Sequence, residues 1–101
     1  MTCLNNLKFK MYKIEYTNQF KKDLELMCKR NAQISDFKIV IEILESGEII
    51  PKKYKNHKLK GNLLNKWDLH IKPDWLLLYS KDDAKRIIKL VRTGFHTDLF
   101  K

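Results

Sequence analysis

Three histidines, His57, His70 and His96, carry the chemistry that this chain can offer near neutral pH, and all lie in its second half. An imidazole can take or give a proton in that range. No two of the three have ligand spacing such as i, i+4 on a helix, so neither a metal nor a cofactor is expected. His70 opens "HIKPDW" (70–75) and is followed by a Pro-Asp turn. The chain reverses at Lys72-Pro73-Asp74, so the Asp74 carboxylate can return to the imidazole and hold one tautomer. A turn-capping aspartate beside an exposed histidine fits the same spacing. His57 lies within "PKKYKNHKLKG" (51–61), which has five lysines and no acid between Pro51 and Lys60, and His96 follows Gly94. Metal-free RNA cleavage needs a base for the 2′-OH, an acid for the leaving 5′-oxygen and cations for the phosphorane. Imidazoles suit both proton transfers. Arg92, or lysines of the 52–60 loop such as Lys58 and Lys60, would supply the charge. Trp75 and Phe100 offer flat faces for unpaired bases. Trp75 as core and Phe100 as a tail anchor fit their positions too.

Charge points to the same class of partner. The net charge of the 101 residues is +9, but residues 1–50 hold 8 Lys and Arg against 7 Asp and Glu, while residues 51–101 hold 13 against 5. A polyanion such as RNA, DNA or an acidic protein segment is the natural partner of such a surface. Cys3 and Cys28 lack metal spacing and are expected to be reduced thiols of a cytosolic protein. Neither a signal peptide nor a membrane span is expected, because the longest apolar run is Trp75 to Tyr79.

The elements that must position these groups follow from periodicity. Residues 1–10 have none and are expected to be a flexible extension before a single domain over 11–101. "YKIEY" (12–16) alternates as a first strand. Thr17 caps a helix over about 18–30, with Phe20, Leu24, Met27 and Cys28 as its apolar stripe. Ser35 is expected to cap a second helix, striped by Phe37, Val40, Ile41 and Leu44 and stopped by Gly47. Residues 48–65 are irregular. Strands follow over 66–72, 75–79 and 86–93, the first with Trp67, Leu69 and Ile71 on one side and Asp68 and His70 on the other. The order β-α-α-β-β-β makes an α+β domain, a small sheet with two helices on one face and the other face open.

"YKNHKLKG", "HIKPDWLLLY" and "RTGFHTDLF", in this order and at these separations, resemble the YafQ-type branch of the RelE/ParE toxin superfamily. The resemblance covers about residues 11 to 100. It implies a RelE-like fold with a mostly antiparallel sheet, and a toxin of a bacterial type II toxin–antitoxin pair that cuts mRNA in the ribosomal A site. On it, His57 is the candidate general base and His96 the candidate acid, two roles that can be exchanged. His70 with Asp74 would polarise the phosphate site, and Phe100 would stack on a base. The expected partners are ribosome, mRNA and a cognate antitoxin with an acidic or amphipathic segment, whose complex binds operator DNA through the antitoxin. Where many members have an Arg shortly before the hairpin histidine, this chain has Trp67-Asp68-Leu69-His70, so Lys66 or Lys72 would supply the missing cation. Lys58 replaces a frequent Pro, and Lys101 extends past the usual terminal Phe. Two other functions fit the charge: a gyrase-poisoning relative, which needs no histidines, and a non-catalytic RNA- or ribosome-binding module.

Overall fold

The computed structural model describes residues 11–59 and 66–99. The expected extension 1–10, Lys60 and Phe100 lie outside the described residues. Five strands, β1 (Lys13–Tyr16), β2 (His57–Lys58), β3 (Lys66–Lys72), β4 (Trp75–Asp82) and β5 (Ile87–Phe95), form one sheet in the order β1-β5-β4-β3-β2. β1 runs parallel to β5, and every other pairing is antiparallel. Helices α1 (Asn18–Lys29) and α2 (Ile34–Ser46) cover one face, and a single turn, α3 (His96–Leu99), follows β5.

Thr17 stops β1 and starts α1 as the sequence suggests. Its hydroxyl oxygen accepts from Phe20 N–H at 2.9 Å and donates to the Val91 carbonyl at 2.9 Å, so the cap also ties the helix to β5. α2 begins one residue before Ser35, with Gln33 in the cap position and no side-chain cap bond. Gly47 ends it at φ 74°, and a Cβ there would lie 3.1 Å from that of Met11. Phe20, Met27, Val40 and Leu44 from the helices meet Leu69, Trp75, Leu77, Tyr79, Ile88 and Leu90 from the sheet in one core.

The α1 stripe is rotated from the expected one. Cys28 is exposed, and the buried face runs through Phe20, Asp23 and Met27 at i, i+3, i+7. A carboxylate belongs there because β1 ends opposite Leu90, and beyond that point β5 has no neighbouring strand on this edge among the described residues. Asp23 takes the missing strand's place: its Oδ2 accepts from Thr93 N–H at 3.2 Å and from Arg92 Nε at 2.8 Å, while Arg92 Nη2 reaches Oδ1 at 3.1 Å. Burial pushes the Asp23 carboxyl up, but the hydrogen bonds from Arg92, Gln19 and Thr93, with the Arg92 charge, outweigh it and hold it below its ordinary value. Its contribution to stability is therefore present above the unfolded carboxyl's pKa and is lost as pH falls through the lower folded one. Asp23→Ala strands the buried Thr93 N–H and should cost about 2 kcal/mol in urea unfolding at neutral pH, less in acid.

The face of the sheet away from the helices is only partly open. At one end Lys66, Ser80 and Lys89 border an open groove, whereas at the other Asp68, Leu76 and Leu78 are buried. α3 packs back on β5 near the buried end. The histidines gather at that half-covered end.

Candidate active site

β3 settles where its side chains point. Trp67, Leu69 and Ile71 enter or border the core, and Asp68 and His70 face away from it, as alternation requires. β2 is only two residues long, but its register sets His57 directly across from Asp68. The stretch before it is irregular yet anchored. Tyr54 is buried within a 3-10 turn over Lys52–Tyr54, and the Tyr79 hydroxyl donates to Asn56, the residue before His57. Burial pushes the Tyr79 phenol well above its usual range, so it remains a donor.

Asp68 is the centre of the arrangement. Its Oδ2 lies 3.5 Å from His57 Nε2 and 3.7 Å from His70 Nε2. These are ion-pair rather than hydrogen-bond separations. The residue is only 5% exposed, and Oδ1 is buried without a hydrogen-bond partner. Burial pushes its carboxyl above the ordinary value, and the charges of His70, His57 and His96, in that order, pull it back. All three histidines are thus within electrostatic reach of one carboxylate.

The tautomers follow from the other ring nitrogens. His57 Nδ1 lies 2.9 Å from the Lys55 carbonyl, and His70 Nδ1 lies 3.3 Å from the Pro73 carbonyl. A carbonyl can only accept, so both Nδ1 atoms donate. Each Nε2 then confronts Asp68 with a lone pair unless a proton lies between them. A proton placed between either Nε2 and Oδ2 would relieve that repulsion, so the geometry suits proton sharing between the acid and the two imidazoles.

Several expected residues are placed differently. Asp74 is exposed, and it is Asp68 rather than Asp74 that stands beside the His70 ring, because the turn directs the Pro73 carbonyl to the imidazole. The Asp74 carbonyl accepts from His96 N–H at 3.0 Å and fixes the start of α3. Trp75 is core, not a stacking platform: it is 2% exposed, and its indole N–H donates to Thr93 Oγ1 at 2.8 Å. The Thr93 hydroxyl in turn donates to the Leu76 carbonyl at 2.7 Å. A bulky apolar residue directly after a Pro-Asp turn starts a central strand, and the buried strand outweighs the rim position. Arg92 is held by Asp23 at the sheet edge, so its charge is not free in the way the sequence suggests. His96 and Lys58 are exposed, and the His57 side chain is 54% exposed. Asp68 was missed as a functional residue. The visible signal was a carboxylate two residues before a histidine on the same strand face.

Residues 12–101 fit the family described as the YafQ bacterial toxin of a type II toxin–antitoxin system. The chain belongs to the YafQ toxin family. It is 35% identical over 88 residues to the mRNA interferase toxin YafQ of Escherichia coli K12, covering 86% of this chain and 94% of the relative. The E. coli DinJ–YafQ toxin–antitoxin complex contains a chain that superposes with a TM-score of 0.82 at 34% identity, covering 90% of this chain and 99% of that one. A metal-bound toxin from Helicobacter pylori superposes equally well, at 0.82 and 35% identity, over 88% and 99% of the two chains. Among the residues described for this YafQ-family toxin, no group of three or more His, Cys, Asp or Glu side chains is arranged to hold a metal ion. The RelE-like α+β fold expected from the sequence is the one observed, and no helix among the described residues is long and apolar enough to cross a membrane.

Proposed function

We propose that this toxin is a ribosome-dependent endoribonuclease that cuts mRNA in the A site. The observation that carries the reading is the convergence of His57 and His70 on the buried Asp68, with His96 in the same electrostatic field. The E. coli relative's name, mRNA interferase toxin, supports it. His57 Nε2 removes the 2′-OH proton, O2′ attacks the adjacent phosphorus, and a 2′,3′-cyclic phosphate forms as the P–O5′ bond breaks. His96 returns a proton to the departing 5′-oxygen. Asp68, with His70, orients His57, and its negative charge balances the positive charge that His57 gains with the proton. Base and acid exchange roles if the strand lies in the opposite sense. Asp74 contributes by fixing the start of α3 under His96. The lysines of the loop, Lys58 and Lys60 among them, stabilise the phosphorane, and Phe100 stacks on a base.

A cognate antitoxin neutralises the toxin by laying an acidic or amphipathic segment over this basic face; that the E. coli relative forms a complex with DinJ supports an antitoxin partner. The antitoxin then carries the pair to operator DNA. The site of action is the cytoplasm, where ribosomes are. The test is primer-extension mapping of an mRNA in reconstituted translation with the wild-type toxin. Codon-aligned cuts that disappear when ribosomes are omitted are expected. Growth arrest without any cut would instead direct attention to gyrase.

A further inference from the structure

His70 borders more than the proton cluster. β2 covers β3 only opposite Trp67 and Asp68, so the later part of β3 faces the 3-10 turn instead of a strand. Between them opens a cleft of about 270 Å³, with His70 and Asp36, from the first turn of α2, both in its lining. Tyr54, Ile71 and Pro73 give it apolar surface, and Lys53, Lys55 and Lys72 surround that surface with charge. Asp36 is the single acid among the lining residues.

We propose that this cleft receives the nucleobase next to the scissile phosphate and that Asp36 selects bases carrying an exocyclic amino group. The role rests on the nuclease reading, but the binding site does not. Apolar walls edged by lysines suit a base and its phosphate, and the cleft is of a size for one nucleotide. Lysines alone would bind any nucleotide, so an acid among them needs an explanation. It weakens phosphate binding, yet a carboxylate accepts hydrogen bonds from the amino groups of adenine, cytosine or guanine. Uracil has no amino group, and its one ring N–H is flanked by two carbonyl oxygens that the carboxylate repels. Lys72 Nζ lies 3.2 Å from Asp36 Oδ2 and holds that carboxylate in place. A part-exposed ion pair of this kind contributes little to stability, so it need not sit in a cleft for the fold's sake. A carboxylate can accept several hydrogen bonds at once, and Lys72 uses one.

Two measurements test the assignment. In the first, 2′-O-methyl trinucleotides, which cannot be cut by attack of the 2′-oxygen, are titrated into the full-length toxin and followed by amide NMR. The adenine and cytosine trimers should shift the Ile71 and Lys72 signals and bind roughly tenfold tighter than the uracil trimer. Asp36→Ala should erase the difference, whereas Lys53→Ala should weaken all trimers alike. In the second, cut sites are mapped for wild type and Asp36→Ala in translating extracts, and the variant's cuts should redistribute toward uracil. Equal affinity of the wild type for all trimers, or binding that leaves Ile71 and Lys72 unmoved, would overturn the proposal. So would an unchanged cut profile in the Asp36→Ala variant. Selective binding by a toxin that cuts no mRNA would retain the cleft and sink the nuclease reading instead.

Discussion

His96→Ala is expected to lose at least about a hundredfold of cleavage rate, the usual contribution of a general acid or base, while still sedimenting with ribosomes. The side chain is exposed at the start of α3, so truncation should change stability by no more than about 0.5 kcal/mol. The His96 main-chain N–H on the Asp74 carbonyl helps to hold this corner, and alanine keeps that bond. A leaving 5′-oxide is a poor leaving group, and a cut without the acid must wait for water to protonate it. The two-part readout separates the enzyme from a binding module. A module that uses only charge would tolerate His96→Ala and fail with Lys→Glu changes in the 52–58 loop. An enzyme shows the reverse order of sensitivity. Normal cut yield from His96→Ala would remove His96 from the reaction.

The fold was legible because its elements are locally consistent. Thr17 and Gly47 bracket the helices, and β3 alternates cleanly. The parallel pairing of β1 with β5 was not legible, since it joins the two ends of the domain and depends on no local pattern. Nor was β2, whose two residues are ordered by Tyr54 and by the Tyr79–Asn56 bond rather than by strand propensity. Among the site residues, the three histidines could be named from their types alone. Their carboxylate could not. Turn proximity favoured Asp74, but a cross-strand register places His57 opposite Asp68, and register is a tertiary fact. Arg92 was misjudged for a related reason: the charge it offers is taken by Asp23, which is buried only because β1 ends early.

Asp68→Asn should separate activity from stability by moving them in opposite directions. The carboxyl is buried, one of its oxygens has no hydrogen-bond partner, and its folded pKa lies above the ordinary value of 3.8. A group whose pKa is raised on folding binds more protons in the native state across the interval between the two values. The stability it contributes is therefore fully present below the unfolded pKa and is lost as pH rises through the folded one. Above that interval the native protein carries a poorly solvated carboxylate. Asparagine is nearly the same size, stays neutral and can donate its amide N–H to an imidazole lone pair. In the alkaline range the variant should accordingly be more stable by about 1 kcal/mol, the order of one unsatisfied buried polar group, and its stability should lose the acid-side slope. Activity should fall by roughly a hundredfold, because the amide can neither hold the shared proton nor stabilise the imidazolium that forms on His57. A side chain with only a packing role would lower both quantities together. Urea unfolding between pH 4 and 9, paired with single-turnover cleavage over the same range, reads both. A variant that cuts at the wild-type rate, or one that loses stability along with activity, would remove Asp68 from the centre of the site.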